Sequence, residues 1–359
     1  MTAKVRKPSQ RDIARAAGVS QAAVSMVLNG KADQYHLAAA TQERVRAAIA
    51  EVGYVPDVAG RSLRGGRNGL IGVHTYESVF PVAVEDYYHE FLVGIEQAAV
   101  RRRQDLVLFA STERADGTRR IYGERGNRLR LADGAVIVGH RQSSDEVAML
   151  ADEGYPFVFI GRRQVPGAQA PYVTADYAAG TTTVVDALAA AGHRRVAYLG
   201  PDERYSPQQE RHAAFLVAAG SHDLEVTAQE FADPALLTAD RLRTLLDAGS
   251  TALVVETPEV GLAIDAAARE LGVEVPRALS VVVLDHVAGP VAGWSHLDVP
   301  RREMGDRAVT VLLGLLDGEL DVDHREVVPC GPLDLATIAP PPALPPQTLP
   351  TPLSPHPAG

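Results

Sequence analysis

The sequence holds a single cysteine, Cys330, in 359 residues. No internal disulfide can form, so packing alone must carry the fold, as suits a reducing compartment. Cys330 itself reads as a small residue in or near a strand rather than a nucleophile. No run of about 18 apolar residues occurs, which argues against a membrane-spanning helix. The N-terminal MTAKVRKPSQRD is basic but has no apolar segment, unlike a secretory signal, so the expected location is the cytoplasm. Aromatic residues make up only 5% of the chain, and Trp294 is the sole tryptophan. G-x-S-x-G, H-E-x-x-H, a Walker loop and G-x-G-x-x-G are all missing, and no histidines and carboxylates fall at metal-ligand spacing. The expectation is a protein that is not an enzyme, with no metal and no cofactor.

What is present is an apolar fraction of 46% and a charged fraction of 22%, the balance of a globular chain. Its length is enough for two or three domains. The net charge of −10 is unevenly spread. Residues 1–67 carry 11 Lys and Arg against 5 Asp and Glu, while the remainder carries 24 against 40. A basic head on an acidic body points to a polyanion as partner of the head alone.

The head reads as three short helices. Ser9 is a good N-cap with Asp12 in the capping-box position, and the first helix runs to about Ala17. Gly18 ends it, because glycine accepts the positive φ of a helix C′ position. Ser20 caps a second helix through about Leu28, which Asn29-Gly30 stops. A third spans roughly Thr41 to Val52. Ile13, Ala17, Val24, Val27, Leu28, Val45, Ala48 and Ile49 form apolar stripes at 3/4 spacing, enough for a small, marginally stable core. In GYVPDVAGRSLRGGRNG (53–69), Pro56 blocks continuation of the third helix. A two-turn helix there contains Gly60, which costs about 1 kcal/mol relative to alanine, so the segment reads as a linker that orders only when held.

From Leu70 onward, apolar runs alternate with amphipathic stretches. Strands are predicted at 70–76, 105–111, 134–140, 156–162, 195–201, 251–257 and 279–286, and helices at 87–103, 178–192, 207–220 and 260–272. This is the pattern of buried parallel sheets with helices on both faces, in two blocks at about 70–174 and 175–296. Such sheets bind ligands at the carboxyl ends of their strands. DVDHREV (321–327) reads as a charged turn, and the proline-dense 340–359 as a disordered or polyproline II tail.

Four stretches, in this order, resemble the LacI-type (lac-repressor-like, GalR) transcriptional regulators. DIARAAGVSQAAVSMVLNG is similar to the family's helix-turn-helix, GYVPDVAGRSLRGGRNGLIGV to its hinge helix entering strand one, AAGHRRVAYLGP to the start of its second core subdomain, and DVPRREMGDRAVTVLL (298–313) to its return crossover. The resemblance spans nearly the whole chain except the tail. It implies an α/β protein with an N-terminal three-helix helix-turn-helix domain at 8–56, a hinge helix or linker at 57–68, and a ligand-binding core at 69–338. That core would resemble type I periplasmic binding proteins: two doubly wound α/β subdomains, the first about 70–174 and 300–318, the second about 175–297 and 320–338, with three chain crossings. The proline-rich tail is 339–359. Function would be sequence-specific repression of transcription, with operator affinity modulated by a small-molecule effector, a sugar by type, bound between the subdomains. The partners implied are a pseudo-palindromic double-stranded operator and a second copy of the chain, with tetramers in some members, and no membrane.

In a helix-turn-helix the second helix enters the major groove with its N-terminal residues at base edges. Gln21, Ala22 and Met26 fall where the family reads bases: Gln21 suits adenine and Ala22 a thymine methyl. Ser20, Ser25 and Asn29 suit phosphates. Met26 departs from the arginine common at this position, so a guanine contact is lost. The loop after Asn29 is about three residues longer than the usual pattern, and Ala38 stands where a serine commonly caps the third helix, a loss of about 1 kcal/mol. In the hinge, Leu63 matches the leucine that wedges the minor groove, with Arg61 and Arg64 suited to phosphates or the minor groove. Gly60 and Asp57 replace the usual alanine and asparagine and weaken that element.

For the effector, Arg211 in ERHAAF and Asp285 ending SVVVLD match the family's ligand-binding arginine and aspartate. Tyr76 and Phe80 are candidate stacking faces, and Trp294, Arg162 and Asp176 are further candidates. Glu256-Thr257-Pro258 replaces the usual Asn-Asp pair, which puts a standard hexose in doubt. Two other classes remain: a transport-type sugar-binding protein, disfavoured by the basic head, and an α/β enzyme without a recognisable motif.

Overall fold

The computed structural model describes residues 8–28, 30–54, 67–77, 87–110, 119–124, 126–139, 144–163, 167, 170–287 and 289–342. The chain divides into two compact units, Met1–Asn68 and Gly69–Gly359.

The first unit is built from local signals. Helix α1 (Gln10–Ala17) starts at Ser9, whose N–H donates to Asp12 Oδ2 at 2.9 Å. It ends at Gly18, left-handed at φ 62°. Helix α2 (Gln21–Leu28) follows after the three residues Gly18, Val19 and Ser20, and Ser20 Oγ accepts the Ala23 N–H at 3.2 Å. Helix α3 (Ala39–Glu51) begins two residues before the predicted start and has no side-chain cap at Ala38. Gln42 compensates: its Nε2 donates to Leu37 O at 3.0 Å and to Asp33 Oδ1 at 2.8 Å, fastening the long preceding loop to the helix. Ile13, Ala17, Val24, Val45 and Ala48 close the core, with Val27, Leu28 and Ile49 packed against it.

The second unit holds two parallel sheets. All seven predicted strands are present, as β1 (Leu70–Thr75), β2 (Asp105–Leu108), β5 (Gly134–Val138), β6 (Phe157–Ile160), β8 (Arg195–Gly200), β10 (Ala252–Val255) and β11 (Ser280–Val283). Further strands are β7 (Tyr172–Ala175), β9 (Glu225–Phe231), β12 (Ser295–His296), β13 (Arg325–Val328) and the hairpin of β3 (Tyr122–Gly123) with β4 (Gly126–Asn127). The first sheet runs β2-β1-β5-β6-β7-β13 and the second β9-β8-β10-β11-β12.

Helices cover both faces of each sheet. Helices α4 (His89–Arg101) and α10 (Arg301–Asp317) bury Phe91, Ile95, Met304 and Leu312 on one face of the first sheet, and α5 (Ser144–Asp152) covers the other with Leu150. On the second sheet, α6 (Tyr177–Ala190) and α7 (Ser206–Ser221) bury Val184 and Phe215, opposite α8 (Ala239–Asp247) and α9 (Pro258–Leu271). Helices α4 and α10 touch through glycine: a Cβ on Gly94 would lie 2.0 Å from Arg302 O, and one on Gly305 2.3 Å from Phe91 O.

Strand pairing corrects one expected boundary. The segment 320–338 was assigned to the second subdomain, but β13 pairs in parallel with β7 in the first sheet, and DVDHREV enters that strand instead of forming only a turn. Residues Leu333 and Ile338 then join the second core. The chain still crosses three times, near 176, 298 and 330. The crossings are bonded to one another: Asp176 N–H donates to Val328 O and Gly331 N–H to Asp298 O, both at 2.8 Å. Three linked strands of backbone between two packed lobes form a natural hinge.

Candidate nucleic-acid interface and ligand cleft

In the first unit, α2 turns Ala23 and Val24 inward and leaves Ser20, Gln21 and Ala22 exposed at its N-terminal end. Ser25 and Met26 are half-buried, and Met26 belongs neither to the core nor to the residues packed against it. Arg11, Arg15, Lys31, Arg44 and Arg46 are exposed, a positive surface suited to a phosphate backbone. Small side chains at the start of α2 permit close approach to a groove.

In the second unit, two cavities of about 650 and 420 Å³ lie between the lobes and share Tyr87 as a wall. Both volumes fall in the range of small-molecule sites. Their polar walls are the loops after β5, β6, β8 and β11, the carboxyl ends of parallel strands.

At the smaller cavity, Asp285 sits between two arginines. Arg211, 2% exposed, comes from α7 and approaches Asp285 Oδ2 at 3.7 Å. Arg301, the first residue of α10, pairs with Oδ1 from the opposite lobe. Burial opposes the Asp285 charge, but Arg301, Arg211 and the His286 N–H together hold the carboxyl below its ordinary range. Each guanidinium also covers a tyrosine face, Arg211 over Tyr177 and Arg301 over Tyr87, both at 4.6 Å.

The larger cavity is lined by Arg162, Arg163, Arg204, Glu210, Tyr177 and Ser206, among others. Arg162 is held by Glu210 at 2.9 Å and donates to the Tyr172 hydroxyl at 3.2 Å. Arg204 lies 3.9 Å over the Phe231 ring and pairs with Glu256. Glu256 is fully buried and accepts the Tyr198 hydroxyl at 2.7 Å. Burial raises its carboxyl above the ordinary range, against the pull of Arg204 and Tyr198.

Two known families match this chain. Residues 10–57 match bacterial regulatory proteins of the lacI family, and residues 185–334 match a periplasmic binding protein-like domain. The transcriptional regulator CelR of Thermobifida fusca is 30% identical over 342 residues, covering 90% of this chain and 96% of CelR. The chain belongs to the LacI family. A CelR–cellobiose complex superposes with a TM-score of 0.61 at 26% identity, covering 93% of this chain and all of that one. The lac repressor dimer bound to operator and an anti-inducer gives 0.69 at 23% identity over 93% of this chain, a likeness of fold.

Within this LacI-family chain the predicted ligand residues separate into groups. Arg162 lines the larger cavity, while Asp285 lines the smaller with Arg211 behind it. Tyr76, expected as a stacking face, is 4% exposed and packs with Phe109 and Ile121 in the first lobe's core. Trp294 packs with Val260, Val287 and Val291 in the second. Asp176 caps α6 by accepting the Ala179 N–H at 3.0 Å. Asn29, Phe80, Arg61, Leu63 and Arg64 lie outside the described residues.

Sequence reasoning missed Tyr87, Tyr177, Arg163, Arg204 and Arg301. Tyr87 opens the predicted helix 87–103 and Arg301 stands in the quoted crossover motif, but neither spacing nor composition marks them as cavity residues. In the sequence Glu256 stands out only as a departure from the family's Asn-Asp pair. Turned inward, it serves as the counter-ion of Arg204 and offers the cavity an arginine where the family's usual pair would offer an amide and a carboxylate.

Proposed function

We propose that this chain is a sequence-specific DNA-binding repressor whose operator affinity is set by a small polar metabolite, of sugar type, held between its lobes. It acts as a homodimer, so that two copies of α2 meet two half-sites. The reading carries no catalytic step.

The observation that carries it is the Arg301–Asp285–Arg211 bridge. It spans the two lobes in the wall of a cavity, so a ligand that binds Asp285 or Arg301 acts on an interlobe contact directly. An effector that favours one degree of closure over the other shifts the population of that state, and the heads respond through the spacing of the dimer. Asp285 supplies hydrogen bonds to hydroxyls with Arg211 holding it from behind, Arg162 closes the far side, and the rings of Tyr87 and Tyr177 on the wall suit a sugar ring. In the head, Gln21 and Ala22 read bases and Ser20 and Ser25 hold phosphates. Met26 supplies no donor, which removes a guanine requirement.

Selection of bound sequences from a random pool by the full-length chain tests the reading. A two-fold-symmetric site is expected, with affinity falling steeply as salt rises. No binding at low salt defeats it. Repeating the selection with Met26→Arg is expected to create a guanine preference of about 1–3 kcal/mol at one position of each half-site. An unchanged preference at every position overturns the placement of Met26 in the groove.

A further inference from the structure

The regulator reading leaves the effector's chemistry open, and the larger chamber narrows it. Resting on that reading, we propose that the effector carries an oxyanion, a carboxylate or phosphate on a polyhydroxylated frame, clasped by Arg163 from the first lobe and Arg204 from the second.

Among the described residues the chamber wall has three guanidinium groups and one carboxylate, Glu210, which Arg162 already holds. The charge of Arg204 is met from behind by Glu256, fully buried, and its edge remains on the cavity wall. Arg163 is different. Its Nη1 donates to Arg162 O at 2.8 Å and its Nη2 to Gly139 O, both backbone carbonyls. Its ring contact is Phe159, at 5.4 Å, and its buried Nε has no hydrogen-bond partner. Among the described residues no carboxylate lies within ion-pair distance of it; the nearby Glu77 instead accepts the Tyr88 hydroxyl at 2.8 Å. Burial presses the Arg163 pKa downward, the signature of a cation short of a counter-charge.

A cation on a concave wall without an acid costs stability unless something outside the chain completes it. Neutral hydroxyls would complete it weakly, whereas a carboxylate or phosphate forms charge-assisted bonds with the planar guanidinium. Ser206, the first residue of α7, adds a hydroxyl to this wall near the positive end of the helix dipole. The smaller chamber is more acidic, with Asp285 and Glu259 on its wall against Arg301, which Asp285 already holds, and suits the hydroxylated end of the same ligand. Because Arg163 and Arg204 belong to different lobes, an oxyanion between them favours closure.

Titration calorimetry on the full-length chain tests this with gluconate, glucuronate, glucose 6-phosphate and inorganic phosphate, against glucose and cellobiose as neutral probes. At least one organic anion is expected to bind, with affinity that weakens as salt rises. Arg163→Gln is expected to lower that affinity about tenfold, and Arg163→Lys, which keeps the charge, to restore part of it. Tighter binding of glucose 6-phosphate identifies a phosphate as the oxyanion, and tighter binding of the sugar acids a carboxylate. Binding of no anion, or equal affinity of wild type and Arg163→Gln for the anion that binds, overturns the proposal. A gel shift with the selected operator runs alongside. Absence of DNA binding brings down the regulator reading, whereas DNA binding released only by neutral sugars brings down the oxyanion alone.

Discussion

The head and the body of this chain are stabilised, and specified, at different ranges. In the head, five fully enclosed residues form the core, and the candidate DNA-reading residues lie within one turn and one helix, Ser20 to Met26. In the body, Tyr87, Arg163, Arg211, Asp285 and Arg301 come from segments spread over most of the chain and meet only because two sheets and three crossings bring them together. A surface carried by one element is written locally, whereas a cleft at strand ends is written by topology.

The largest effect is expected from Asp285→Ala. It would leave Arg211 and Arg301 facing each other without their carboxylate, and breaking a buried ion pair from one side costs about 3–5 kcal/mol. Urea denaturation followed by the emission of Trp294, enclosed in the second lobe's core, reads this loss. Hydrogen exchange of residues 10–51 in the same protein should not change. A loss below about 1 kcal/mol would mean that water screens the bridge, as in surface pairs, and would remove the interlobe contact from the mechanism.

Gly305→Ala comes next. Its Cβ would lie 2.3 Å from a backbone carbonyl on α4, which cannot step aside as a side-chain end does. Overpacking of this kind costs roughly 1–3 kcal/mol. Exchange should accelerate in 89–101 and 301–317 first. Unchanged protection there would show that α4 and α10 can part cheaply.

The same contrast separates what was legible in the sequence from what was not. Ser9, Gly18 and Ser20 mark the ends of α1 and α2 because a cap is a contact between neighbours in the chain. Six of the seven apolar strands were legible because strands buried on both faces read as continuous runs, and β2, an exposed edge strand, because its own run DLVLFAS is apolar. The strands not foreseen include β9 and β13, both at sheet edges, where polar and charged residues are tolerated and blur the pattern. That is why DVDHREV read as a turn and why 320–338 was given to the wrong lobe. Tyr76 illustrates the limit at the site. It directly follows a strand that aims at the cleft, but its ring turns into the core against His74, at 4.8 Å between centroids. No pattern in the sequence distinguishes that from Tyr87, which does reach the cavity.

His74 itself gives the body a pH response. The ring is fully buried, neither nitrogen has a hydrogen-bond partner among the described residues, and burial, with Arg119 adding to it, pulls its pKa from 6.5 down to about 4. The folded state therefore favours the neutral ring. The stability this contributes is complete above pH 6.5 and drains away as the pH falls toward 4. Between pH 7 and pH 5 the body should lose about 2 kcal/mol from this group. Urea titrations at both pH values should show that loss in the wild type and not in His74→Phe. Equal losses in the wild type and His74→Phe would place the acid sensitivity elsewhere.

The smallest expected effect is the most selective one. Ser20→Ala removes the oxygen that accepts the Ala23 N–H and leaves the first turn of α2 uncapped, a loss of about 1 kcal/mol. In a core of five enclosed residues that loss is a large share of the total, and it should raise hydrogen exchange across 10–51 about fivefold. The strands of the second sheet, held by packing on both faces, should exchange at an unchanged rate. DNA affinity should fall by more than the stability loss alone, because Ser20 also stands exposed at the end of α2 that would face phosphates. A drop in affinity no larger than the rise in the unfolded head would assign Ser20 to the fold only and leave register on the groove to its neighbours.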